Sequence, residues 1–94
     1  MPSKEYEKFE QKAEILKAIA HPVRLCILRG LAQEGSSNVG KITTCLEIPQ
    51  ATVSQHLAKM KAVGIIKGKR NGTQVIYTLT NVGNIIKLVD NFLI

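Results

Sequence analysis

Residues 49–64 read PQATVSQHLAKMKAVG and carry a clear helical pattern between two helix-boundary residues. Its apolar side chains Val53, Leu57 and Met60 recur at steps of three and four residues, which is typical of the buried face of an α-helix. A proline opens the stretch and a glycine closes it, as helix boundaries often do. We therefore expect a helix over residues 50–63.

A shorter helix is predicted directly before this stretch. Residues 36–38 (Ser-Ser-Asn) supply side-chain oxygens that cap helix starts. Val39, Ile42 and Leu46 follow on one helical face. Residues 47–49 (Glu-Ile-Pro) then break the pattern before the next helix begins. Two helices joined by so short a turn indicate a helix-turn-helix.

A β-hairpin is predicted after the second of these helices. Residues 65–70 and 73–79 have the composition of strands and are joined by Asn71-Gly72. Asn-Gly between two such runs favours a type I′ turn, in which both central residues have a positive φ. A hairpin in this position is typical of a winged helix-turn-helix.

Amphipathic helices are predicted towards both ends of the chain. The first covers residues 4–20, the next residues 22–33, and the last follows the capping pair Thr80-Asn81. The apolar stripe of the first helix is Tyr6, Phe9, Ala13, Leu16 and Ala20, and that of the last is Val82, Ile85, Ile86, Val89, Phe92 and Leu93. The expected fold is mainly α with a two-stranded hairpin, a single domain over residues 1–94 with about five helices.

The composition suits one small folded domain. The 94 residues are 45% hydrophobic, which excludes a disordered tail, and no apolar run approaches the ~20 residues that span a bilayer. The charged N-terminus does not resemble a signal peptide, and two isolated cysteines suit a reducing compartment. We therefore expect a cytoplasmic protein without a membrane partner.

Positive charge is concentrated in the second part of the chain. The formal net charge is +6. Residues 35–94 hold seven basic and two acidic side chains, and no Asp or Glu lies between Ile48 and Val89. Such a field suits a face that binds a polyanion, although a merely solvated basic surface would have the same charge.

The helix over residues 50–63 has the outward face of a DNA-reading helix. Small side chains there let the helix approach the floor of a major groove, neutral polar side chains can read base edges, and lysines can meet phosphates. An ordinary surface helix usually carries Glu, and this one has no acidic residue. For His56, at the flank of this face, a structural hydrogen bond is an equal alternative. The candidate contacts are Gln50, Ala51, Thr52, Ser54, Gln55, His56, Lys59 and Lys61.

The predicted hairpin is the second candidate contact surface. A basic two-stranded ribbon can hold the phosphate backbone or enter a minor groove. Lysines that protect a solvated sheet edge are the alternative, but the position next to a helix-turn-helix favours DNA. The candidate contacts are Lys67, Lys69, Arg70, Asn71, Thr73 and Gln74.

Catalysis and metal binding have little support in the sequence. Ser54 and His56 lie about 200° apart around one helix, so they cannot form a nucleophile–base pair. Cys26, among Leu and Ile residues, is expected to be buried and inert, Cys45 to be more exposed, and His21 to cap or pack at a helix junction. These side chains lack the spacing of metal ligands. We therefore expect no catalytic site, metal, cofactor or small-molecule substrate.

The chain resembles the ArsR/SmtB family of winged-helix repressors. The matching stretches are LKAIAHPVRL at 16–25, PQATVSQHL at 49–57, VGII at 63–66 and RNGT at 70–73 with Tyr77. The resemblance implies an obligate homodimer that is paired through its first and last helices and that holds an operator until a signal releases it. The apolar stripes agree, because one small domain cannot easily cover both. The expected interface residues are Tyr6, Phe9, Leu16, Ile85, Val89 and Phe92.

The sequence therefore predicts a sequence-specific DNA-binding regulator, a repressor that binds an inverted-repeat operator in double-stranded DNA as a homodimer. A winged-helix module that binds other proteins without DNA is the alternative from another class. Such modules usually lose the basic hairpin, which this chain keeps. Binding of double-stranded RNA is less favoured, because a helix cannot enter the narrow major groove of an A-form duplex.

The residues that sense signals in the family are missing from the matching positions. The resemblance places the Cys-Val-Cys motif of arsenic- and cadmium-sensing members at Asn38-Val39-Gly40. Zinc-type members use Asp and His on the last helix, where only Asp90 is present, and the C-terminal cysteine of thiol-sensing members is also missing. We expect no intrinsic metal or redox switch; a thiol- or metal-responsive sensor built on Cys26 and Cys45 is the alternative.

Overall fold

The computed structural model of the chain describes residues 3–89, and this part contains five α-helices and one β-hairpin. The expected fold class, mainly α with a two-stranded wing, is confirmed. None of the helices within residues 3–89 combines the length and the apolar composition needed to cross a bilayer. The elements are α1 (Ser3–Ile19), α2 (Pro22–Glu34), α3 (Val39–Leu46), α4 (Gln50–Ala62), β1 (Ile66–Asn71), β2 (Gln74–Leu79) and α5 (Ile85–Leu88).

The starts of α2 and α3 follow capping residues in the sequence. α2 begins at Pro22, whose missing N–H costs nothing in a first helical turn. His21 Nδ1 accepts a hydrogen bond from the Val23 N–H (3.1 Å). Asn38 Oδ1 accepts one from an N–H in the first turn of α3 (2.8 Å). Both side chains satisfy donors that a helix start leaves free.

The turn between β1 and β2 lies one residue later than predicted. Asn71 pairs with Gln74, so the two central residues are Gly72 and Thr73. Of these two, only Gly72 has a positive φ (66°), as a type II′ turn requires at its first central position. The expected type I′ turn centred on Asn71-Gly72 is therefore wrong, because Asn71 extends the strand ladder instead of entering the turn.

One apolar cluster joins all five helices and the start of β1. The predicted inward stripe of α4, Val53, Leu57 and Met60, is confirmed, because these side chains are almost completely buried. α1 contributes only its last turn, so most of its length lies outside this core. The cluster comprises Ala18, Ile19, Ile27, Leu28, Leu31, Ile42, Val53, Leu57, Met60, Ile65, Ile66 and Ile86.

The last described helix begins later than predicted. α5 starts at Ile85, whereas Val82 lies in the preceding turn. Thr80 Oγ1 accepts a hydrogen bond from the Gly83 N–H (3.1 Å), as an N-cap side chain does, but this bond closes the turn that precedes α5 and not the first turn of α5 itself. The part of the predicted helix beyond residue 89 lies outside the described residues.

Candidate nucleic-acid interface

The turn between α3 and α4 sets the direction in which α4 is presented. Glu47 ends α3 with left-handed backbone angles (φ 57°, ψ 36°), and its N–H donates to the Thr43 carbonyl (2.9 Å). The Pro49 carbonyl then accepts from the N–H groups of Thr52 (3.0 Å) and Val53 (3.2 Å), which starts α4. A non-glycine residue rarely adopts the conformation of Glu47, so surrounding contacts must hold this turn.

α4 leaves its polar face open to solvent. Gln55 lies about half a turn around the helix from the buried stripe that contains Val53 and Leu57. Ala51 and Ala62 lie beside Gln55, so the centre of the open face carries little bulk. The predicted contacts Thr52 and His56 are half-buried, and the exposed ones are Gln50, Ala51, Ser54, Gln55, Lys59 and Lys61.

The wing presents its basic side chains on two faces. Lys67 and Lys69 share one face of the hairpin with Ile76 and Thr78, since alternate residues of a strand point the same way. Arg70 lies on the opposite face, close to the tip. The predicted wing contacts Lys67, Lys69, Arg70, Asn71, Thr73 and Gln74 are all exposed.

The wing is attached to the start of the helix-turn-helix. Ser37 and Tyr77 exchange two backbone hydrogen bonds, of 3.1 Å and 2.7 Å. Asn38 Nδ2 also donates to Gln74 Oε1 (3.5 Å). The sequence identified Asn38 only as part of a capping segment, because its contact with the wing spans 36 positions. These contacts form one depression, lined by Asn38, Val39, Gly40, Ser54, Thr73, Gln74, Val75 and Tyr77.

The basic side chains of α4 and β1 have no carboxylate partner within residues 3–89. In this part of the chain the ion pairs join Glu14 to Lys17 (3.2 Å) and Glu34 to Lys41 (3.4 Å), which lie on α1, α2 and α3. The positive charge of α4 and the wing is therefore not neutralised locally. Such a surface attracts phosphates at low and moderate salt.

His56 makes an internal hydrogen bond at the flank of α4. Arg24 Nε donates to His56 Nδ1 (3.0 Å), and the rings of His21 and His56 lie 4.5 Å apart between centroids. The pKa of His56 is lowered by burial and then by the positive charges of His21, Arg24 and Lys59. His56 therefore makes the structural hydrogen bond that the sequence left open, through Nδ1. A DNA contact through its Nε2 stays a prediction.

Cys26 is exposed, so the expectation of a buried thiol is wrong. Its apolar sequence neighbours are misleading, because Cys26 lies about 200° around α2 from the buried Leu28. Cys45 is exposed too, and both cysteines line one groove between α2 and α3. Among residues 3–89, His, Cys, Asp and Glu side chains form no group of three that could hold a metal ion.

Comparison with known proteins finds similarity along most of the chain. A family model described as a helix-turn-helix domain matches residues 19–69, from the end of α1 into β1. An HTH-type transcriptional regulator of Methanocaldococcus jannaschii is 48% identical over 86 residues, which cover 89% of this chain and 97% of that one. The similarity thus extends over both outer regions as well as the helix-turn-helix.

Two solved structures share this architecture. The crystal structure of the transcriptional repressor PagR of Bacillus anthracis superposes with a TM-score of 0.79 at 43% identity, covering 89% of this chain and 98% of PagR. A homodimeric winged helix-turn-helix DNA-binding domain from Mycobacterium bovis, a candidate ArsR-family regulator, superposes with a TM-score of 0.86 at 30% identity. That match covers 98% of this chain and 86% of the other.

Proposed function

This chain belongs to the ArsR/SmtB family of winged helix-turn-helix transcriptional regulators, and on that premise we propose that it is a homodimeric cytoplasmic repressor which binds an inverted-repeat operator. The observation that carries the proposal is the open face of α4, which is polar, free of carboxylates and continuous with the wing. Two such faces in a dimer would meet half-sites about one helical turn or more apart.

The two parts of this surface have different chemistry and therefore different proposed roles. Side chains on the open face of α4 read bases, chiefly Ser54 and Gln55, because neutral amides and hydroxyls match base edges. Charged side chains at the end of α4 and on the wing hold phosphates, which fixes register without reading sequence. The proposed phosphate and groove contacts are Lys59, Lys61, Lys67, Lys69, Arg70, Asn71, Thr73 and Gln74.

The proposed dimer contact is made by α1 and the C-terminal region. Tyr6, Phe9 and Leu16 are each more than half exposed (54%, 53% and 55%), and Ile85 and Val89 are also exposed. The three α1 side chains share one face of the helix, and an exposed apolar face of this kind usually marks an interface. The similar domain from Mycobacterium bovis is described as homodimeric. The predicted contact Phe92 lies outside the described residues.

A binding titration tests the proposed function directly. Fluorescence anisotropy would follow a labelled duplex taken from the DNA upstream of the protein's own gene, with a scrambled duplex of equal length as the control. We expect tighter binding of the upstream duplex by about a thousandfold or more at moderate salt. Equal affinity for both duplexes would contradict sequence-specific regulation, and binding of neither would favour a protein-interaction module.

We further propose that release from DNA uses no metal at the family's two familiar positions. Asn38 and Gly40 stand where thiolate ligands would be required. The exposure of Cys26 and Cys45 removes one argument against a thiol switch, so the experiment must test both chemistries. Operator affinity should stay within about twofold when zinc, cadmium, arsenite or a mild oxidant is added. A ligand that regulates binding usually changes the affinity by about fivefold or more.

The control for this measurement is the Cys26→Ser, Cys45→Ser double variant. A metal-driven loss of affinity of about tenfold in both proteins would contradict the proposal, because the metal would then act through ligands other than the two cysteines. A loss that only oxidant causes, and only in the wild type, would replace it with a thiol switch.

A further inference from the structure

A cluster behind the DNA-facing surface joins α1, α2 and α4. Arg24 lies in the first turn of α2, and its Nε donates to His56 Nδ1 on α4 (3.0 Å). Its Nη1 donates to the carbonyl oxygen of Ala18 in the last turn of α1 (3.1 Å). A single side chain therefore connects three helices. We call this arrangement of Arg24, Ala18 and His56 the arginine clip.

The sequence explains why the Ala18 carbonyl needs this donor. Within a helix, the carbonyl of residue i accepts from the N–H of residue i+4, and the residue four positions after Ala18 is Pro22, which has no N–H. Ala18 is buried, and an unpaired buried carbonyl costs free energy. Arg24 supplies the missing donor, and its planar guanidinium directs another N–H towards α4.

We propose that Arg24 is a positioning residue, which fixes the recognition helix α4 relative to the dimer-forming helix α1. The proposal rests on the proposed function, in which α4 reads DNA and α1 contacts the second subunit. A dimer reads both half-sites only if its two recognition helices have the spacing of the operator. The clip joins the end of α1 to the middle of α4, so Arg24 would hold that spacing without itself contacting a base.

The clip requires a neutral His56. An imidazole that accepts at Nδ1 carries its proton on Nε2, and a second proton at Nδ1 would place two donors face to face. Burial and nearby positive charge lower the pKa of His56. The hydrogen bond is therefore kept at neutral pH and lost as pH falls below the ordinary histidine range. The charged and titratable groups around the clip are His21, Lys59 and the exposed pair Glu14–Lys17.

The first test uses the protein without DNA. NMR of the ¹⁵N-labelled imidazoles would follow the titration of His56 in the wild type and in Arg24→Met, which removes both donors at similar length. In the wild type we expect a neutral ring with its proton on Nε2 and a lowered pKa. The pKa of His56 should rise in Arg24→Met, because the donor and a positive charge are gone. An unchanged titration would show that the clip does not form in solution.

The second test measures specificity. Affinities for a duplex selected from a random pool and for an unselected duplex would be compared in the wild type and in Arg24→Lys, which keeps the charge but not the planar fork. We expect the ratio of the two affinities to fall about tenfold or more, while affinity for the unselected duplex, sedimentation and circular dichroism stay unchanged. An unchanged ratio in a folded dimeric variant would overturn the proposal.

His56→Asn separates positioning from a merely structural role. An asparagine oxygen can accept near the place of Nδ1 and does not titrate. The wild-type affinity ratio should fall between pH ~7.5 and ~5, as His56 takes up its proton, while the ratio of His56→Asn stays flat. Equal pH profiles would contradict the clip. If the wild type itself prefers no duplex, the proposed function fails instead, and the NMR titration still decides whether the clip exists.

Discussion

Gly83 allows the chain to pass between the wing and α5. A Cβ atom built on Gly83 would lie 2.0 Å from the carbonyl oxygen of Ile65 and 3.1 Å from its carbonyl carbon. That carbonyl also accepts hydrogen bonds from the N–H (3.0 Å) and the hydroxyl (3.0 Å) of Thr80. The contact involves backbone atoms, so no change of rotamer can relieve it. Only glycine fits at this crossing without moving the backbone.

Gly83→Ala should therefore destabilise the fold. We expect a loss of about 1–3 kcal/mol in the free energy of unfolding, which is typical of overpacking in a dense interior. Urea unfolding followed by circular dichroism measures it, at one protein concentration because a dimer unfolds in a concentration-dependent way. Gly30→Ala is the matched control, since nothing lies within 4 Å of a Cβ there. It should stabilise α2 by about 0.5–1 kcal/mol. Equal losses of stability in both variants would contradict a specific steric contact between residue 83 and the Ile65 carbonyl.

The backbone conformation of Glu47 destabilises the folded protein, because left-handed angles (φ 57°, ψ 36°) crowd its Cβ. Glu47→Gly should stabilise the protein by about 1 kcal/mol. Glu47→Ala keeps the Cβ and should bring no comparable gain. The thermal unfolding midpoints of the three proteins provide the measurement. A larger gain for alanine than for glycine would show that the carboxylate, rather than the backbone, is unfavourable here.

Among the helices and strands, α4 can be predicted from the spacing of its apolar residues and from the residues at its ends. Its buried stripe repeats regularly, and Pro49 and Gly64 bound it. The sequence also predicts the wing as a hairpin, but its turn lies one residue later than expected, because Asn71 can either enter a turn or extend a strand. The clip could not be predicted, since Arg24 and His56 are 32 positions apart. Capping and periodicity are local signals, whereas the clip depends on how three helices pack.

Recognition helix and wing should respond differently to substitution. Gln55→Ala should cost about 1–3 kcal/mol of specific binding and relax the preference at one base position. Arg70→Ala should weaken selected and unselected duplexes alike, because phosphates carry no sequence information. It should also reduce the slope of log affinity against log salt by about one unit.

Titrations of both variants between about 50 and 200 mM salt separate the two roles. Each variant serves as the control for the other, because both lose one exposed polar side chain from the same surface. If Gln55→Ala leaves both affinities unchanged, α4 does not read bases in the proposed way. If Arg70→Ala alters the preferred sequence but not the salt slope, the wing contacts bases rather than phosphates.

The large exposed apolar side chains and the basic side chains of the proposed DNA-binding surface lie on different elements: the former on α1 and within residues 82–89, the latter on α4 and the wing. α1 has 17 residues, yet only Ala18 and Ile19 are buried in the single chain. A helix of this length gains most of its stability from packing of an apolar face. The exposed apolar stripe of α1 is therefore expected to pack against a second subunit. The basic side chains of α4 and the wing lie in the carboxylate-free segment after Ile48, so in the proposed dimer they would stay available to DNA.

Val89→Asp tests this division of the surface. Val89 is 40% exposed, so a carboxylate there can reach water in a monomer, but in a dimer contact it would be buried without a partner. Such burial costs several kcal/mol per ion. We expect the variant to sediment as a folded monomer at micromolar concentration and to lose tight operator binding, because one recognition helix cannot hold two half-sites. Ser36→Asp, which adds the same charge at an exposed loop position, should remain a dimer. A wild-type chain that sediments as a monomer, or a Val89→Asp dimer with full operator affinity, would contradict the proposed interface.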